Sequence, residues 1–300
     1  MSNLKEVRTR LNTVKTLQQV SSAMRMVASS KLFKTQRLIA GLKPYRLALY
    51  NIIRHYQDAV KAEDKSHFFA KGKGNNALMV VITSNKGKCG AYNHMIAKKA
   101  LDHEKLLSEL GLEVGIMVIG KKGEEILLKS DAKILYVNHD ILEEFNFLSG
   151  NTLADELMMF FTDGKFCRID VVYGHFRNAV LHEYNAVEFL PMDAALYNSL
   201  PVNPNENLDI DGFDKVLLDP GAKEISDYLV PNFIKSHLYS LFLNAIASEN
   251  GARMFAMQKA SDNAIEVLKA LTVAFNKERQ SRITREIVEI VSGAESLSQG

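Results

Sequence analysis

The sequence predicts an α/β domain, a doubly wound and mostly parallel sheet, inserted between two helical arms that pair as a long antiparallel two-helix coiled coil. Three observations predict it. The six prolines stand at 44, 191, 201, 204, 220 and 231, so the first 190 residues hold one and nothing after 231 holds any. Apolar residues at both ends of the chain repeat three and four apart, the spacing of a helical seam. Between the ends, short β-rich runs alternate with helical ones, the pattern of strands connected by crossover helices.

In the N-terminal arm Leu4, Val7, Leu11 and Val14 set the seam. It drifts through Leu17 and Val20 and resumes at Met24 and Val27. Apolar positions continue at Leu32, Leu38, Ile39, Leu49, Ile52, Ile53 and Tyr56, and Gly41 with Pro44 is expected to kink or loosen the helix near residue 42. In the C-terminal arm Met254, Met257, Ser261, Ala264, Leu268, Leu271 and Phe275 form one register, and Ile283, Ile287, Ile290, Ala294 and Leu297 a second. Asn276–Arg282 interrupts them. A helix over 230–297 is on the order of 100 Å long, beyond any core in a chain of this size, so it needs a second long helix beside it. The N-terminal arm is the partner the sequence offers. Small residues Ala23, Ala28, Ala260, Ser261 and Ala264 permit close approach.

The middle opens with Ala77–Ile82, a six-residue apolar run suited to a strand buried on both faces. A helix over 92–110, strand 114–119, helix 121–129, strand 133–137, helix 151–163, strand 167–173 and strand 180–190 follow, the last an antiparallel edge. The boundaries read as an N-terminal coiled-coil helix (1–62), a linker (63–76), the globular domain (77–210), and a foot segment with the C-terminal coiled-coil helix (211–300).

Composition excludes several classes of function. At 47% hydrophobic and 24% charged the chain is globular, and no apolar run approaches the roughly 20 residues of a membrane helix. Cys89 and Cys167 are the only cysteines, too far apart in sequence for a clustered thiolate site, and they suit a reducing compartment. The first residues lack the apolar core of a signal peptide, so a cytosolic, unprocessed chain is expected. A net charge of +2 hides an N-terminal segment, 1–60, with eleven basic and two acidic side chains. That segment favours an acidic partner: nucleic acid, anionic lipid or an acidic protein surface. Duplex binding would be strongly salt-dependent; against it, the basic residues are spread around the helix without interleaved aromatics.

The glycine-containing loops do not form a phosphate site. Gly87-Lys88 has Ile82 where a P-loop needs its first glycine, and Cys89 where it needs a magnesium-binding hydroxyl. Gly72 and Gly74 precede the first strand, whereas a dinucleotide fingerprint follows it. The eight histidines show no metal-ligand spacing, and no Gly-x-Ser-x-Gly elbow occurs. Cys89 has basic neighbours in Lys86 and Lys88 but no arranged base. A tight strand-to-helix turn is the expected role of the 83–93 loop, and no catalytic, cofactor-binding or metal-binding residue is assigned.

Three separated motifs, in order, resemble the gamma subunit of the F-type ATP synthase. Residues 10–31, RLNTVKTLQQVSSAMRMVASSK, are similar to that family's opening helix. Residues 248–263, SENGARMFAMQKASDN, and 275–294, FNKERQSRITREIVEIVSGA, resemble its closing helix. Residues 84–93, SNKGKCGAYN, look like its central loop, with Asn85, Lys86, Lys88 and Ala91 where Asp, Arg, Leu and Gly are usual. The resemblance implies a Rossmann-like domain on a coiled-coil shaft. It implies a non-catalytic rotor inside a ring of three alpha and three beta subunits, seated on the epsilon subunit and the membrane c-ring, coupling proton flow to ATP synthesis. No cofactor, nucleic acid or direct small-molecule substrate is implied. By motif, Arg279, Gln280 and Thr284 would form the catch on beta, Met24 and Arg25 would face the acidic lever of beta, and Asp219 would belong to the foot on the c-ring. The expected location is peripheral, on the cytoplasmic face of a bacterial inner membrane.

Overall fold

The computed structural model describes residues 4–59, 66–130, 132–178, 182–192 and 222–298. Five strands form one sheet: β1 (Asn76–Ile82), β2 (Glu113–Ile119), β3 (Ile134–Asn138), β4 (Arg168–Phe176) and β5 (His182–Leu190). Their order is β3-β2-β1-β4-β5, parallel except for the β4–β5 pair. The expected antiparallel edge is therefore present. The helices are α1 (Leu4–Ala59), α2 (Tyr92–Glu109), α3 (Lys121–Leu127), α4 (Phe147–Thr162) and α5 (Ala222–Ser298).

Side chains alternate across a strand with period two, and β1 divides accordingly. Leu78, Val80 and Ile82 enter a core built with Leu157 and Phe161 of α4, Ile53 of α1, and Leu238 and Phe242 of α5. Ala77, Met79 and Val81 face the other way, onto Tyr92, Ile96 and Ala100 of α2 and Leu127 of α3. A strand covered on both faces must be apolar throughout, which is why β1 reads as a run and not an alternation.

The chain divides into two compact units, Met1–Ser29 with Arg253–Gly300, and Ser30–Ala252. In the first, α1 leaves at Ser29 and α5 enters at Arg253, so the two helices run antiparallel. Gln18 Nε2 donates to Ser261 Oγ at 3.4 Å and fixes their register. Met257, Ser261 and Ala264 are buried, and Met254, Leu268, Leu271 and Phe275 half-buried, so the first C-terminal register is the seam. From α1 the seam takes Val7, Ser21 and Ala28. Val27, expected in the seam, is 59% exposed, because the smaller Ala28 one position on takes the contact. Ala23 also faces outward.

The second C-terminal register departs from expectation. Ile283, Ile287 and Ile290 are exposed, Ile290 at 72%. With Gln18 opposite Ser261 and equal rise in both helices, Leu4 lies level with residue 275. The described part of α1, which starts at Leu4, therefore does not reach the second register.

In the second unit α1 continues through Gly41 and Pro44. Proline removes the hydrogen bond to the carbonyl four residues back; here that residue, Ala40, is exposed and water can take the bond. α4 starts four residues before the expected 151. Asn146 accepts from the Ser149 amide at 3.0 Å while the Ser149 hydroxyl accepts from the Asn146 amide at 3.1 Å. This is a capping box made from Asn and Ser in place of the usual Ser/Thr and Glu/Gln.

Candidate partner-binding surfaces

In an open doubly wound sheet, ligands bind outside the carboxyl ends of the strands where the strand order reverses. Here that point lies between β1 and β4, and it is filled. Gly174 of β4 lies so close to Tyr92 and Ser248 that a Cβ would stand 2.7 Å from the Tyr92 ring and 2.9 Å from Ser248 Oγ. Tyr92 is buried and donates its hydroxyl to the Ala245 carbonyl at 3.0 Å, and Ser248 Oγ lies 3.4 Å from His182 Nδ1. The crevice thus seats α5.

The 83–91 loop is used up locally. The Thr83 hydroxyl donates to the Ile119 carbonyl at 2.9 Å and accepts from the Gly123 amide at 3.0 Å. The Lys121 amide donates to Asn85 Oδ1 and the Lys122 amide to the Ser84 carbonyl. Asn85 Nδ2 donates to the His139 carbonyl at 2.8 Å. The first three amides of α3, the groups that would meet a phosphate at a helix start, are all committed to this loop. Gly120, at φ +105°, packs against the Thr83 backbone and closes the join.

Two buried polar networks had no motif. Asp170, fully buried in β4, receives His103 Nε2 of α2 at 2.8 Å and Arg168 Nε at 3.0 Å, and Arg168 also reaches Glu188 at 3.0 Å. A lone carboxylate inside the run Arg168–Tyr173 was the available signal. On the opposite face, Arg46 of α1 donates to Ser240 and meets His237 Nδ1 of α5 at 3.1 Å. Burial lowers the Arg46 pKa to about 10, which leaves it cationic at neutral pH. His237 lies between the parallel rings of Phe189 and Phe233. Burial, and then the Arg46 charge, push its pKa down to about 3.

The sign of the resulting pH dependence follows. An unfolded histidine takes a proton below about pH 6.5, and the folded His237 refuses it until about 3, so stability present above 6.5 is lost as pH falls through that window. Urea unfolding between pH 6 and 4 should show a loss of about 1.4 kcal/mol per pH unit from this group. His237→Phe should flatten the slope by that amount; an unchanged slope would assign the acid sensitivity elsewhere, with His175 and His182, also lowered by burial, the first candidates.

The residues assigned by motif fall as follows. Arg279, Gln280 and Thr284 are exposed on α5, just past the level of Leu4. Gln280 and Thr284 share a face, with the Thr284 hydroxyl donating to the Gln280 carbonyl at 3.0 Å. Arg282 pairs with Glu286 at 2.8 Å and Arg285 approaches Glu278 at 3.9 Å, while Arg279 makes no ion pair among the described residues. Met24 and Arg25 are half-buried on α1, level with about residue 254 and so roughly 40 Å along the helix pair from the first group. The structure does not bring the two groups together. Asp219 lies outside the described residues. Among those described, no cluster of three His, Cys, Asp or Glu could hold a metal, and no helix is long and apolar enough to cross a membrane.

The ligand crevice of the doubly wound domain is occupied by the chain's own α5, which leaves no room there for a nucleotide. The family model described as ATP synthase matches residues 3–297. The gamma chain of Flavobacterium psychrophilum is 34% identical over 99% of both chains, and that of Amoebophilus asiaticus 35% over the whole of both. The chain belongs to the ATP synthase gamma-chain family. Among solved structures, a chain of the Euglena gracilis mitochondrial ATP synthase shares the fold with a TM-score of 0.62 at 16% identity, covering 98% of this chain and 94% of that one. A chain from the central stalk and c-ring structure of the Tetrahymena thermophila enzyme gives 0.54 at 24%, covering 81% and 99%.

Proposed function

We propose that this chain is the non-catalytic central shaft of a proton-translocating F-type ATP synthase, turning with a membrane c-ring and driving the beta sites of an alpha-beta ring through their conformations in turn. The observation that carries the reading is the apolar stripe of Ile283, Ile287 and Ile290, exposed on α5 past the level where the described α1 starts. Exposed apolar area of this kind marks a surface that another chain covers, and a surrounding ring of subunits suits a single projecting helix. Arg279, Gln280 and Thr284 present polar groups beside that stripe for a loop of beta, and Met24 with Arg25 faces an acidic lever. Rotation then works by differential contact: the asymmetric shaft favours a different conformation in each beta subunit it meets. In this reading 1–62 and 211–300 supply shaft and foot, with Asp219 in the foot on the c-ring. Segment 63–76 links them to 77–210, which docks with epsilon. The complex is peripheral on the cytoplasmic face of a bacterial inner membrane.

Co-expression with the alpha and beta subunits of the same source tests the proposal. Stable assembly, with ATPase activity that depends on this chain, is the expected result. Retention of the chain on nucleotide or duplex DNA resin without assembly would overturn it. Within the assembled complex, Arg279→Ala with Gln280→Ala should lower ATP hydrolysis about tenfold, the loss expected when interface hydrogen bonds fail, while the circular dichroism of the free chain is unchanged. Leu268→Asp, which puts a charge in the seam, should uncouple or disassemble the complex; full coupling would remove Leu268 from the helix interface.

A further inference from the structure

The stretch 134–164 contains six carboxylates and no lysine or arginine, within a chain of net charge +2. Its most exposed apolar residue, Leu148 at 74%, opens α4 together with Phe147, itself 48% exposed. The Phe147 ring is braced by aromatic neighbours. The Phe147 ring stands edge-on to Tyr239 at 5.3 Å, Tyr239 stacks on Phe145 at 5.4 Å, and Phe145 stacks on buried Phe242 at 4.7 Å. The Asn146–Ser149 capping box fixes the backbone beneath them. A patch ordered before binding loses little entropy on binding. Exposed Asp140, Glu143 and Glu144 lie just before it in sequence.

We infer that Phe147 and Leu148, with the carboxylates of Asp140, Glu143 and Glu144, form a docking surface for a basic, apolar-faced helix of a protein partner. Charge complementarity selects that occupant. Anionic lipid and nucleic acid both carry the sign this rim repels. A helix with apolar residues on one face and lysines beside them meets the rings with the first and the rim with the second. The surface lies within Ser30–Ala252 and does not depend on the contacts proposed around residues 279–284.

The probe is an amphipathic Leu/Lys helical peptide carrying one tryptophan, titrated with the full-length chain. The chain has no tryptophan, so the emission reports the peptide alone. Saturable binding is expected, weakened about tenfold by Leu148→Asp and similarly by Glu143→Lys with Glu144→Lys. It should be unchanged by Leu110→Asp, a control at a 70% exposed apolar residue just after α2. All these positions are exposed, and circular dichroism checks that each variant folds. Equal affinity across the variants, or equal binding of a Leu/Glu twin peptide, would overturn the inference. Sedimentation showing that the chain self-associates through the same residues would replace the partner with a second copy and overturn it too.

Discussion

Asp170→Ala should cost the folded chain about 3–5 kcal/mol, the loss typical when one member of a buried charged pair is removed. Asp170 is fully buried and holds two cationic or potentially cationic groups, His103 from α2 and Arg168 from its own strand. Without it, His103 loses its acceptor and Arg168 keeps only Glu188, itself partly exposed. That remaining partner places the expected value near the lower end. Asp170→Asn, which keeps shape and acceptor oxygen, should cost less. Urea unfolding followed by circular dichroism measures both. A loss under about 1 kcal/mol for the alanine variant would mean that the network contributes little to stability.

Phe242→Ala should cost a similar 3–5 kcal/mol, here by leaving a cavity. The ring is fully buried on α5, stacked on Phe145 at 4.7 Å, and packs in the core with Leu78, Val80 and Ile82 of β1. The loss separates α5 from the sheet face that holds it, so coupling in an assembled complex should fall together with stability. The two substitutions act on opposite faces: Phe242 belongs to the α4 and α5 side, Asp170 to the α2 side. They share no partner, so their costs should add. The sum approaches the whole stability of an ordinary domain, and the double variant should fail to fold. A double variant no worse than either single one would mean that the sheet does not separate the two cores.

The elements legible in the sequence were those with one dominant period. The seam from Met254 to Phe275 is legible position by position, because an unbroken helix turns its spacing directly into a face. Strand β1 was legible for the opposite reason, since burial on both faces leaves no polar residue to confuse the run. Exposure of the second register was not legible. Ile283, Ile287 and Ile290 have ideal spacing, and only the Gln18–Ser261 register shows that the described α1 does not reach them. The start of α4 is not legible because Asn and Ser form its capping box. The Arg46–His237 contact joins residues 191 positions apart, and nothing local marks it. Of the motif-assigned residues, Arg279, Gln280 and Thr284 could be named from sequence, but their outward placement needed the register of the two helices.

The point where α1 stops has an elastic consequence. Up to the level of Leu4 the first unit is two helices thick, and beyond residue 275 the described residues supply one. Resistance to bending and twisting rises steeply with cross-section, so a load applied along this rod does not distribute evenly. The single-helix stretch deforms first and stores most of the strain, while the paired stretch turns nearly as a rigid body. The contrast in stiffness follows from two bounds: the described α1 begins at Leu4, and α5 runs on about six turns past that level.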